Sequence, residues 1–303
     1  MSDREKGRGV RRVLIRAAVA LCLLLLLIHG LRGGWFRSLM EDNLLPVPVE
    51  GQAGFALHMI DVGQGQTLLL TCGGEAAMID TGLPDTADRV VSYVRAQGVR
   101  QLSCLFVTHP HSDHCGGAKA VLDRIGADLL VLPEYHTEEA LLTTAGEWIG
   151  KTDTQIAAAA AGQTFAVGEA TVTVLHPPAG NAIDDLNELS MVLLVEYGGK
   201  RLLFCADVSA AVEESLLPLE PVDVLQVAHH GSYTSSSPAF LADTAPRYAL
   251  ISCGRNNDYG HPHQSVVDRL EACGAEIFRT DEDGTVVVRI SQGKLTVEIE
   301  NEE

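Results

Sequence analysis

The run Thr108-His109-Pro110-His111-Ser112-Asp113-His114-Cys115-Gly116-Gly117 closes an apolar, β-rich stretch, residues 102–108. Four groups able to ligate a metal fall within six residues, more than a solvated turn needs, and they are of two chemical kinds. Imidazole nitrogen suits zinc and other borderline cations, whereas a carboxylate adds charge and accepts harder ions such as manganese. A strand on one side, and a Gly-Gly turn into a predicted helix over residues 118–125 on the other, would hold the ligands on a loop with rigid supports. An isolated His-x-His is commonly a surface loop; the full His-x-His-x-Asp-His run at a strand terminus points to a metal.

Outward from this run, short β-rich segments alternate with helical ones. Strands are expected at residues 55–60, 67–71, 76–79 and 102–108, with a helix over 85–97. The second half has the same texture: strands at 171–175, 191–197, 201–205, 222–227 and 248–252, a helix over 264–273, and strands at 285–290 and 295–299. Two β-rich halves with helices outside imply an α/β fold of the αββα kind, two sheets packed face to face. The Ala-rich segment 156–162 reads as a helix end or a surface loop over the site.

The N-terminal part differs in kind. Arg4, Lys6, Arg8, Arg11 and Arg12 precede an apolar stretch, residues 13–28, broken only by Arg16. That order reads as a signal anchor, with a cleaved signal peptide and secretion as the alternative. The domain plan is a cytoplasmic stub and anchor helix over 1–36, a Pro- and Gly-containing linker over 37–54, and a folded domain over 55–303. The positive-inside rule places that domain outside the membrane.

The chain has 303 residues, 46% of them hydrophobic, enough for one large core. Lys and Arg total 22 against 40 Asp and Glu, a formal charge of −18. This excludes a protein that grips nucleic acid by a generally basic surface; a polyanion would have to be held locally, by metal ions. Seven scattered cysteines without a Cys-x-x-Cys pair exclude a disulfide framework and a thiolate zinc site.

The histidine run resembles the signature of the metallo-β-lactamase superfamily, and three further strings resemble its other motifs in order. Ile79-Asp80-Thr81-Gly82 is similar to the motif whose Asp orients the ligand loop. Cys205-Ala206-Asp207 is similar to the motif whose carboxylate bridges two metals, with Ala206 where Gly is usual. Tyr259-Gly260-His261-Pro262 is similar to the last motif, whose His completes the second metal site. Within the superfamily the likeness is to the extracytoplasmic hydrolase domain of ComEC-type competence proteins, through Asp61-Val62-Gly63-Gln64-Gly65-Gln66, His229-His230-Gly231-Ser232 and Arg279-Thr280-Asp281. No multispanning segment accompanies these strings.

The resemblance implies two divalent cations, Zn2+ or Mn2+, held by His109, His111, Asp113, His114, Asp207 and His261. Asp80, Asn187, Ser190 and Ser232 are expected around them. The third-motif His has no counterpart; Asn187 stands there, so Asn187 or water would complete the first site. His230, with Asp113, is the expected catalytic pair, His230 giving a proton to a leaving group or else acting as a supporting or ligand histidine. The implied function is a phosphodiesterase or nuclease acting on DNA outside the membrane, anchored by its N-terminal helix. The alternatives are hydrolysis of a small ester or cell-envelope phosphodiester, and a non-catalytic accessory role in a DNA-uptake complex.

Overall fold

In β4 (Leu102–Phe106), successive side chains point into different cores: Leu102 and Leu105 toward helices, Cys104 and Phe106 toward a second sheet. A strand covered on both faces reads as a continuous apolar run, as parallel strands do. The computed structural model describes residues 54–135 and 153–300, together with 143, 145, 146 and 148. The expected anchor helix lies outside the described residues, as does nearly all of the linker. Among the described residues no helix is long and apolar enough to cross a membrane.

The first sheet contains β1 (Phe55–Met59), β2 (Leu68–Cys72), β3 (Glu75–Ile79), β4, β5 (Ala127–Pro133), β6 (Gln155–Ala159), β14 (Thr285–Ser291) and β15 (Lys294–Glu300), in the order β15-β14-β1-β2-β3-β4-β5-β6. The second contains β7 (Thr164–Val167), β8 (Ala170–His176), β9 (Val192–Tyr197), β10 (Lys200–Phe204), β11 (Val224–Gln226), β12 (Tyr248–Ile251) and β13 (Glu276–Arg279), in the order β13-β12-β11-β10-β9-β8-β7. Each sheet is antiparallel on one side and parallel on the other, β3 to β6 in the first and β10 to β13 in the second.

Three apolar layers hold the stack together. Between the sheets lie Leu57, Phe106, Val172, Phe204 and Val288, all buried. Helices Ala87–Ala96 and Ala118–Arg124 cover the first sheet through Val90, Val94 and Val121. Helices Ala210–Ser215, Pro238–Thr244 and Gln264–Ala272 cover the second through Val212, Phe240 and Val266. The αββα expectation therefore holds, each fully buried Phe adding about 1.5–3 kcal/mol of transfer free energy.

The segment 156–162 departs from expectation. Its first part is β6, an edge strand paired in parallel with β5 from Leu129↔Gln155 to Pro133↔Ala159. The ladder supplies hydrogen bonds that Ala propensity does not predict, so tertiary pairing overrides the helical bias.

Candidate metal centre

The parallel halves of both sheets end on one side, and the loops leaving them carry the site, as expected at the carboxyl ends of strands. After β3 comes Asp80, fully buried, with a left-handed φ of 60°. Its Oδ1 accepts the Thr108 backbone N–H at 2.8 Å; its Oδ2 accepts Gln66 Nε2 at 2.9 Å and meets His114 Nδ1 at 2.7 Å. One carboxylate thus ties the start of the histidine loop to its last ligand. Gln66 also donates its N–H to Asp113 O at 2.9 Å, so the Gly63-Gln64-Gly65-Gln66 turn clamps the same loop. At Gly65, φ is +155° and a Cβ would lie 2.7 Å from Asp113 O, so only glycine fits.

Asp207 follows β10, on a turn where Ala206 takes φ 46°, which explains why glycine is the easier residue there. The turn is pinned by Gln226 Oε1, which accepts the backbone N–H of Cys205 and of Ala206, each at 2.9 Å. After β11, His229 and His230 are both left-handed, at φ 52° and 55°, a costly pair of conformations of the sort that clusters at functional sites.

The two oxygens of Asp207 face different partners. Oδ1 lies 3.1 Å from His114 Nε2 and 3.7 Å from His230 Nε2; Oδ2 lies 3.9 Å from His109 Nε2 and 3.8 Å from His229 Nε2. His109 Nε2 is 3.0 Å from His111 Nδ1. On the Oδ1 side, Asp113, His114, Asp207 and His230 each bring a ligating atom to within 4.8 Å of the others. His230 Nδ1 meets Ser252 O at 2.8 Å, an arrangement that turns its Nε2 toward Asp113 Oδ2, 3.3 Å away.

This donor set fits a divalent cation. When Nδ1 of a neutral His114 gives its hydrogen to Asp80, Nε2 presents a lone pair to Asp207 Oδ1, which has no hydrogen-bond donor of its own. A proton or a metal between them removes the conflict. The electrostatics agree: burial opposes the charge on His114, yet Asp207 and Asp80 raise its pKa well above the usual value. Burial likewise opposes ionisation of Asp207 and Asp113, but His114 and His230 hold Asp207 well below the carboxylate range and Asp113 at about 2. His109 is driven well below the histidine range, chiefly by burial, and stays a neutral imidazole.

Of the remaining expected residues, His261 lines the same cleft with a buried Nδ1 that has no partner, but it lies outside the four-residue nest. Burial first, then the imidazoles of His230, His229 and His263, lower its pKa to about 4. The nest thus contains His230 and not His261, where the sequence expectation put His261 in the second metal set and His230 at the leaving group or in a supporting or ligand role. Asn187 lines the cleft, its Oδ1 buried and unpartnered, and Ser190 is buried with an unpartnered Oγ. Ser232 is buried too, but its Oγ accepts from Thr234 Oγ1 at 2.9 Å and reaches none of the ligands by a hydrogen bond. His176 is buried and meets Glu188 O at 2.8 Å, bracing the Asn187 loop. Sequence reading missed Gln66, Gln226 and Ser252 as supports, because an amide or hydroxyl carries no signal until its partner is adjacent in space.

The model of the metallo-β-lactamase superfamily matches residues 60–255, most of the chain and all of the site except His261. The chain belongs to the metallo-β-lactamase superfamily. Within it, the chain is 33% identical over 289 residues to "Competence protein ComA" of Neisseria gonorrhoeae, covering 92% of this chain and 39% of that protein. It is 29% identical over 254 residues to "ComE operon protein 3" of Bacillus subtilis, covering 77% and 33%. A third relative, "Recombination protein 2" of Haemophilus influenzae, is 31% identical over 249 residues, covering 79% and 29%. The chain thus spans roughly a third of the length of these curated relatives. Among solved structures, the metallo-β-lactamase-fold protein YhfI of Bacillus subtilis superposes with a TM-score of 0.53 at 14% identity, over 78% of this chain and 99% of that one. The diiron β-hydroxylase CmlA of Streptomyces venezuelae gives 0.55 at 13%, over 78% and 54%. Both likenesses are of fold. The chain is a metallo-β-lactamase-fold, metal-dependent hydrolase related to competence proteins.

Proposed function

We propose that this hydrolase is a two-metal phosphodiesterase that cleaves DNA outside the membrane. The observation that carries the reading is the division of Asp207: one buried carboxylate offers Oδ1 to the His114 and His230 side and Oδ2 to the His109 and His229 side. A carboxylate so placed could serve residues that would hold a cation on either side of it. The likeness to a competence protein and a recombination protein supports nucleic acid as the substrate class.

Bound divalent cations, Mn2+ or Zn2+, would acidify water and neutralise charge on a phosphodiester. His109, His111 and Asp207 would hold the first, with Asn187 or His229 beside them; Asp113, His114, Asp207 and His230 would hold the second. Asp80 keeps His114 oriented and Ser252 keeps His230 oriented. His261, neutral near pH 7, would give a hydrogen bond to the leaving oxygen rather than a full proton. The apolar residues 13–28 would anchor the chain with this domain outside. Protease added to intact cells should then remove the domain, and full protection would contradict that topology.

The decisive assay is turnover by the purified full chain with Mn2+ or Zn2+, on single-stranded DNA and on bis(p-nitrophenyl) phosphate. Metal-dependent cleavage that Asp113→Ala lowers by 100-fold or more is expected. A wild-type protein that cuts neither substrate with either metal overturns the reading.

A further inference from the structure

Among the described residues, the exposed large hydrophobic side chains are Leu186, Tyr233, Tyr259 and Ile299, and of these Tyr259 lines the metal cleft while Tyr233 is joined to it through His263 and the cleft-lining His261. Tyr259 is 67% exposed. Tyr233, 65% exposed, follows His230 by three residues. Four rings form a continuous row. Tyr259 stacks on His261 with ring centroids 5.6 Å apart and planes 19° from parallel. His261 meets His263 edge-on at 5.1 Å, and His263 meets Tyr233 edge-on at 4.9 Å. The row is braced from below, since the Tyr233 backbone N–H donates to His263 Nδ1 at 3.3 Å and His263 N donates to Gly231 O at 2.9 Å. Each end of the row is a tyrosine open to solvent.

Charge offers a polyanion little here. The cleft, about 360 Å³, has no Lys or Arg in its lining. The cavity that adjoins it across Gln64 carries Arg89 and Arg255 against five carboxylates, those of Asp61, Asp281, Glu282, Asp283 and Glu300. Arg89 sits 3.5 Å from Asp61, and Arg255 donates to Asp281 O at 3.1 Å. With a formal charge of −18 overall, affinity for a strand must come from its bases rather than its phosphates. Exposed tyrosine faces provide that, because every unpaired base has a π-face and stacks without regard to sequence. In a duplex those faces are already covered by neighbouring base pairs.

We propose that Tyr259 and Tyr233 form a stacking platform for the unpaired bases on either side of the phosphate at the metal cleft, making single-stranded nucleic acid the substrate. The inference rests on the phosphodiesterase reading for its catalytic half and stands apart from it for binding. Two measurements separate them. In EDTA, quenching of a 2-aminopurine-labelled oligothymidylate by the full chain reports stacking without turnover. In Mn2+, the ratio of kcat/KM for that oligonucleotide to that for an abasic strand of equal length reports the use of bases in cleavage.

Wild type is expected to quench the label and to prefer the base-bearing strand. Tyr259→Ala and Tyr233→Ala should each weaken binding and lower the ratio by about tenfold, whereas Tyr259→Phe and Tyr233→Phe stay within about twofold. A mere loss of structure would lower turnover of both strands alike and leave the ratio unmoved. Equal use of the two strands by wild type, or Ala variants that keep the wild-type ratio and quenching, overturns the platform even if DNA is cut. Quenching that depends on both tyrosines in a protein that cleaves nothing upholds the platform and overturns the phosphodiesterase instead.

Discussion

His114 shows how a single side chain calls for added positive charge, a proton or a metal. Its two nitrogens lie 2.7 Å from Asp80 and 3.1 Å from Asp207, two buried carboxylates, and a neutral ring has one hydrogen to give. The second contact therefore needs an added positive charge. His230 has its Nδ1 committed to a carbonyl and its Nε2 3.3 Å from Asp113, whereas the Nδ1 of His261 has no partner, so on the proposed reading His230 would ligate and His261 would serve the leaving group. His230→Gln should accordingly lose about one of two bound metal equivalents, counted by mass spectrometry of the dialysed protein, with turnover down 100-fold or more. His261→Gln should keep both metals and lower kcat by about 10- to 100-fold, in the range for a lost proton-handling or hydrogen-bonding group. If His261→Gln sheds metal and His230→Gln does not, the assignment is reversed.

Among the elements, two segments distant in sequence hydrogen-bond to the backbone of the histidine loop and hold it in place. These are Asp80-Thr81 and the Gly63–Gln66 turn. Gly116 marks the tightest approach: a Cβ there would lie 2.4 Å from Pro84 Cδ and 2.4 Å from Ser112 O. Its backbone is ordinary αR, so alanine suits the local conformation and only the neighbours forbid it. Gly116→Ala should cost about 1–3 kcal/mol by overpacking, which outweighs the gain in helix propensity. For a folded unit of this size, thermal unfolding should fall by several degrees; an unchanged midpoint would mean that Pro84 gives way freely.

Over the whole molecule, two linked equilibria should be visible in unfolding. Cations that bind only the folded chain raise its stability, by about 2.7 kcal/mol at a hundredfold excess over Kd. Mn2+ or Zn2+ should therefore raise the melting temperature of wild type and leave that of Asp207→Asn nearly unmoved; equal shifts in both would place the metal elsewhere. The second equilibrium is protonation of Glu213, buried under the Ser236–Ser237 turn, whose backbone N–H groups it accepts at 2.9 and 3.0 Å. Burial pushes its pKa up from 4.5 to about 7, against those two hydrogen bonds. The folded chain then keeps a proton that the unfolded chain releases, so stability falls as pH rises from about 4.5 to 7 and levels off above. At about 1.4 kcal/mol per pKa unit the loss is bounded near ~3 kcal/mol. Urea unfolding at pH 5 and pH 8 should show this fall in wild type and a flatter response in Glu213→Gln; equal slopes would remove Glu213 as the cause.

Local order along the chain was enough for the α/β class, most strand positions and the metal-binding character of the His109–His114 loop, because period-two apolar runs and clustered ligands are short-range signals. Asp80 and Asp207 were legible through motif likeness at strand ends. Three things waited for the fold. β6 is a strand only because β5 lies beside it. Gln66, Gln226 and Ser252 became supports only when chains far apart in sequence met. The approach of His230 Nε2 to Asp113 and Asp207, and the ring row from Tyr259 to Tyr233, depend on where side chains point after two left-handed residues, and direction in space is a property of backbone dihedrals and packing that residue identity does not carry.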